Sequence, residues 1–184
     1  MVSGGINRFR IEPLQIGDRR GESRFELIDR RLGVLEARGL GAGKPRGAAA
    51  WLVTPYSTGG HTGSTEMKQS IDDICSAIEI FPDAFLLGHA HNYQRYTRRI
   101  AGKQVPYIVA GTGGISPQPL PEASGLPADN ETTYDAALQS YGYLYVTASA
   151  KELKFEFWPL SNGGQSQLYD PFIVDLTTHL VTRG

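Results

Sequence analysis

His89 and His91 stand two residues apart, directly after an apolar run, Ala84–Leu87, that breaks at Gly88. In extended backbone, residues i and i+2 project to the same side, so both imidazoles can reach one point or two adjacent points. Metal ions are the usual occupants of such a pair. A Gly-His-x-His string also arises at an ordinary strand end, with one ring bonded to a carbonyl and the other in solvent. A catalytic metal site needs about three protein ligands, so spacing alone leaves both readings open.

The other histidines are His61, in the Gly-rich stretch Tyr56–Gly63, and His179, close to Arg183 at the polar end of the chain. His61 is a candidate for an acid/base role or for plain surface exposure; His179 reads as inert. The single cysteine, Cys75, excludes an intrachain disulfide and a Cys-rich zinc site, so any metal would rely on His, Asp, Glu and Asn. Cys75 shares helical spacing with Met67, Ile71, Ile74 and Ile78 and reads as core filler.

The elements that must position these residues follow from periodicity. Ala48–Thr54 reads as a short buried strand closed by Pro55, Ser64–Glu79 as an amphipathic helix stopped by Pro82, and Ala84–Leu87 as a second strand. Strand, helix and strand in this order predict a parallel pair, with sites collecting in the loops at the carboxyl ends. Those loops, Pro55–His61 and Gly88–Arg95, hold His61, His89 and His91. Val105–Ala110 is a further strand ending in Gly111-Thr112-Gly113-Gly114, where Pro117, Pro119 and Pro121 preclude the helix of a phosphate-binding motif. Ser116–Tyr134 reads as an irregular excursion. Gly142–Ala148, Glu152–Trp158 and Phe172–Leu176 alternate as strands, with Asn162-Gly163 as a hairpin turn, so the end of the chain is β-rich.

The chain has 184 residues, 40% hydrophobic and 20% charged, which suits one soluble domain. Residues 1–50 carry 10 basic and 6 acidic side chains, net +4, against −5 for the remainder. The scattered arginines lack interleaved aromatics, so nucleic-acid binding is not expected, and residues 1–47 read as a poorly ordered segment apart from a helix over Arg24–Arg38. No apolar stretch approaches the roughly 20 residues of a bilayer span, and none marks a signal peptide, so the expected location is cytoplasmic.

One group of motifs is more specific. Thr54-Pro55-Tyr56-Ser57, His61-Thr62-Gly63-Ser64, Pro82-Asp83, Gly88-His89-Ala90-His91-Asn92-Tyr93-Gln94-Arg95 and Pro106-Tyr107-Ile108-Val109-Ala110-Gly111 occur in that order, ending in Tyr169–Leu176. From about Ala48 onward the chain resembles the C-terminal half of the calcineurin-like metallophosphoesterases, the group that includes purple acid phosphatases. The resemblance implies an α/β fold with half of a β-sandwich and a flanking helix over residues 48–184. It also implies metal-dependent hydrolysis of a phosphate ester, with Fe, Mn or Zn as cofactor.

Carried over by position, His89 and His91 match metal ligands, and His61 borders the catalytic site. Tyr93 and Arg95 match positions that pack around it, with Arg95 either a phosphate clamp or a structural ion pair. The family's Asp-x-His and Gly-Asn-His segments are missing, and Leu52, Val53 and Thr54 stand where a histidine pair is usual. Gly17-Asp18 matches only by chance. The expectation is therefore a truncated phosphoesterase not competent alone and holding its ions only if the site is completed. The alternative is a non-catalytic binding module that keeps half of a metal site. The change of text near Ala50 is what truncation or a shifted reading frame would produce, and exposed apolar surface would favour self-association.

Overall fold

The computed structural model describes residues 25–27, 35–37, 48–51, 54–122, 128–160 and 166–184. The expected loose segment, apart from its short strands, and the Asn162-Gly163 turn lie outside the described residues. Among those described, the protein is mixed α/β, mostly strands, with one helix.

The parallel unit forms as its periodicity requires. β3 (Ala48–Trp51) pairs in parallel with β4 (Ala84–Leu87), Ala48 opposite Ala84 and Trp51 opposite Leu87, across helix α1 (Thr65–Ala77). Ser64 caps the helix, its Oγ accepting the Met67 N–H at 3.1 Å, and Glu66 places an acidic group in the first turn. Ile71 and Cys75 are buried, and burial pushes the Cys75 thiol up to about 11, as expected of core filler. Ile78, expected on the same face, is instead 56% exposed, because the helix ends at Ala77 and Ile78 is the C-cap.

β4 pairs in parallel with β6 (Lys103–Ala110), which forms an antiparallel hairpin with β5 (Tyr93–Ile100). β7 (Thr132–Leu138) completes a five-stranded sheet of order β3-β4-β6-β5-β7. The second sheet is antiparallel, β11-β10-β9-β8, from β8 (Gly142–Ala148), β9 (Glu152–Pro159), β10 (Tyr169–Asp175) and β11 (Val181–Arg183). The helix expected over Arg24–Arg38 is corrected: β1 (Phe25–Leu27) and β2 (Leu35–Ala37) pair antiparallel, since Phe-Glu-Leu and Leu-Glu-Ala alternate with period two. Tyr93–Arg95, expected in a loop, and Thr132–Tyr134, expected in the excursion, are likewise strand.

Two cores separate three layers. Phe85, Leu87, Tyr96, Tyr107 and Val109 face Ile71 and Cys75 of the helix. Tyr93, Ile108, Ala136, Phe155, Phe157, Phe172 and Val174 fill the space between the sheets.

Strand β5 joins the layers through charge. Its alternation sends Arg95 between the sheets, where Nε and Nη2 donate to Asp170 at 2.7 and 2.8 Å and Nη1 donates to Asp135 at 3.0 Å. Burial alone would depress this guanidinium, but the two carboxylates outweigh it and raise its pKa. Both carboxylates lie at register shifts, Asp135 where β7 slips against β5 and Asp170 where β10 slips against β9. The extra residue at a bulge re-aims side chains, and Tyr134 and Ala136 accordingly face different cores. On the helix side Arg98 holds Asp72 through Nη1 and Nη2 at 2.5 and 2.8 Å and Glu131 at 3.0 Å. Breaking one side of a buried pair leaves the other charge uncompensated. Asp170→Ala and Arg95→Met should each destabilise the protein by about 3–5 kcal/mol in urea unfolding, Arg95→Met the more, because it strands both Asp170 and Asp135 whereas Asp170→Ala leaves Arg95 paired with Asp135.

Candidate functional site

The loop from Thr54 to Ser64 closes on itself. The Thr54 carbonyl accepts the Ser64 N–H at 3.0 Å, and the Ser57 carbonyl accepts the Gly63 N–H at 3.0 Å. The Thr54 hydroxyl donates to the Tyr56 carbonyl and accepts the Tyr56 N–H at 3.2 Å, tightening the turn. A Cβ on Gly63 would stand 2.4 Å from the Pro55 carbonyl oxygen, so the loop requires glycine there. His61 projects from this frame.

His89 and His91 follow β4 in a tight double turn, with Ala90 N–H donating to Gly88 O and Asn92 N–H to Ala90 O, each at 2.9 Å. His89 has φ 70°, a left-handed conformation uncommon for a residue with a Cβ. Gly111, at the end of β6, backs the turn: a Cβ there would meet the Ala90 carbonyl oxygen at 2.2 Å.

The two loops bring three imidazoles together. The His61 ring lies 4.3 Å from that of His89 at 35°, and 5.7 Å from that of His91 at 79°. His89 is exposed, and His61 and His91 are half-buried. His179 is elsewhere, beyond the amino end of β4, with Nδ1 3.2 Å from Asp83, a carboxylate that Lys103 also holds at 2.8 Å. No group of three His, Cys, Asp or Glu side chains poised to hold an ion occurs among the described residues. The three histidines are thus apposed in the cleft between the two loops, without a ready three-donor set.

Residues singled out only as part of the motif, or not at all, hold this arrangement. Gln94 is fully buried: its Oε1 accepts the Thr58 N–H at 2.9 Å and the Tyr96 hydroxyl at 2.9 Å, while Nε2 donates to Asn92 Oδ1 at 2.7 Å and Ser57 Oγ at 3.0 Å. One amide ties the His61 loop to the strand that begins after His91. Gln118 clasps the other side, its backbone N–H donating to the His91 carbonyl at 2.8 Å and its Oε1 accepting the His91 N–H at 3.1 Å. Thus the Pro-rich excursion is in part a strap over the histidine loop. Tyr93 turns away from the histidines, donating to Asp170 at 2.8 Å and stacking on Phe157. Arg95 does the same; its Nε, Nη1 and Nη2 donate to Asp170, Asp135 and Thr97.

No family model and no curated protein matches the chain. Among solved structures, the chain is similar to one described as GAP50, the anchor in the inner membrane complex of Plasmodium, at 17% identity and a TM-score of 0.44. The match covers 64% of this chain and 33% of that one, so the chain spans about a third of its length. At this TM-score no shared fold is established. No helix among the described residues is long and apolar enough to cross a membrane.

Below the histidines, Tyr56 stacks on Tyr96 and meets Tyr107 edge-on, and Lys68 reaches across the Tyr56 ring to Asp129 at 2.9 Å. Burial pushes the Asp129 carboxyl up, but Lys68 and the Glu131 N–H outweigh it and hold it down to about 2.

Two measurements check this scaffold. Gln94→Leu strands the Thr58 N–H, the Tyr96 hydroxyl and Asn92, and should cost about 3 kcal/mol in urea unfolding. The Asp129 carboxyl is more acidic folded than unfolded, so its contribution is present above about pH 4 and is lost as pH falls toward about 2. The thermal midpoint of Asp129→Asn should lie below wild type at pH 6 and converge with it near pH 2.

Proposed function

We propose that the histidine cleft is part of a metal-dependent phosphoester hydrolase site, built on a partial calcineurin-like phosphoesterase fold, and that this chain does not turn over substrate alone. The observation that carries the reading is the apposition of His61, His89 and His91 from two loops at the carboxyl edge of parallel β3 and β4. The order of motifs along the chain supports it. His89 and His91 would be ligands, and His61, whose ring contacts both, would hold or deliver a proton at the substrate.

The residues present do not fit a two-ion centre. Two ions roughly 3.5–4 Å apart need more donors than three imidazoles, and no carboxylate joins these among the described residues. Imidazole suits zinc or iron better than manganese, so a single ion of that kind is the set's natural limit. Further donors would have to come from beyond the described residues. The lack of a ready three-donor group among these favours a second reading, a non-catalytic module that keeps half of a metal site.

Metal analysis by mass spectrometry after loading with zinc should give no more than one ion per chain, lost in His89→Ala and in His91→Ala. Hydrolysis of p-nitrophenyl phosphate by the loaded chain should not exceed that of free zinc. Turnover above that background, abolished in both variants and reduced about 100-fold in His61→Ala, would instead establish a complete site. Equal zinc in wild type and both variants would end the metal reading. Orthovanadate separates the two proposals: a hydrolase site binds it once zinc is present, whereas the module takes up zinc alone.

A further inference from the structure

A cavity of about 290 Å³ opens between the two sheets at the hairpin end of β5 and β6. Arg99 lies opposite Gln104 in that hairpin, eight residues along the strand from His91, or roughly 25 Å at strand rise. The cavity is therefore distinct from the histidine cleft. Arg95 forms one wall, already engaged by Asp170 and Asp135.

Arg99 and Arg183 differ from Arg95 and Arg98. Each reaches the same cavity, each is exposed, and among the described residues neither has a carboxylate partner. Counting Asp135 and Asp170 against the three arginines leaves the cluster at +1. Thr97 and Thr133 also line the cavity: the Thr97 hydroxyl accepts from Arg95 Nη1 at 3.3 Å and keeps its own proton to donate, whereas the Thr133 hydroxyl donates to the Thr97 carbonyl at 3.4 Å. Gln104 accepts the Val181 N–H through Oε1 at 2.8 Å, which leaves its amide N–H groups as donors. Forked guanidinium donors with the Thr97 hydroxyl and the Gln104 amide suit a tetrahedral oxyanion.

We propose that this inter-sheet cavity is an anion site for inorganic phosphate, held by Arg99 and Arg183 and independent of the histidine cleft. It needs no metal and does not rest on the hydrolase reading.

Calorimetric titration of the full chain with inorganic phosphate, in the presence of a chelator, tests it. One site should appear, weakened by added salt, retained in the His89→Ala/His91→Ala double variant, and weakened about tenfold or more in Arg99→Ala/Arg183→Ala. Both arginines are exposed, so the thermal midpoint of that variant should match wild type, and Arg99→Lys should recover part of the affinity. No phosphate binding by the wild-type chain, undiminished binding in the arginine variant, or loss in the histidine variant would each overturn the proposal.

Discussion

Two buried arginines on one strand hold the layers of this protein in register. β5 puts Arg95 on one face and Arg98 on the other, and each guanidinium meets two carboxylates from separate parts of the chain. Charges placed this deep must be matched nearly atom for atom, because a low-dielectric interior penalises any that is left over. The partners of Arg95 lie where β7 and β10 slip, so the irregularities of the sheets and the charge of the strand answer one another. Arg98 does the corresponding work against α1 through Asp72. The cleft sits just before the beginning of this same strand, where Gln94 ties its loops together.

Much of the cleft was legible in the sequence because it depends on local rules. Parallel pairing across a helix forces two loops to one edge, and the rings of His61, His89 and His91 meet there. What composition could not supply was the polar frame. Gln94 and Gln118 are ordinary glutamines in the sequence; only the approach of distant segments makes one the tie between loops and the other the strap. Arg95 was open between clamp and ion pair, and its ion pairs became visible only once β10 was folded against β5.

The strands without a clear period in the sequence have separate causes. β5 is buried on both faces and uses Tyr, Gln, Arg and Thr to do so, so it shows no alternation of apolar and polar residues. In β7 the slip at Asp135 shifts the pattern by one residue halfway along. Conversely, β4, β8 and β9 follow simple apolar runs or alternation and stand close to where their residues suggest. The Arg24–Arg38 expectation failed because two short alternating triplets, read together across Gly33, imitate helical spacing.

The left-handed backbone at His89 sets conservation of fold against conservation of chemistry. Glycine would occupy that conformation without the steric penalty borne by a histidine, and the exposed imidazole repays little through packing. A library of random variants sorted only for folding strength should therefore drift toward glycine or asparagine at this position, erasing the ring while improving the scaffold. His89 is where the preference of the backbone and the role proposed for the cleft point in opposite directions, and a lineage without that role would show it there first.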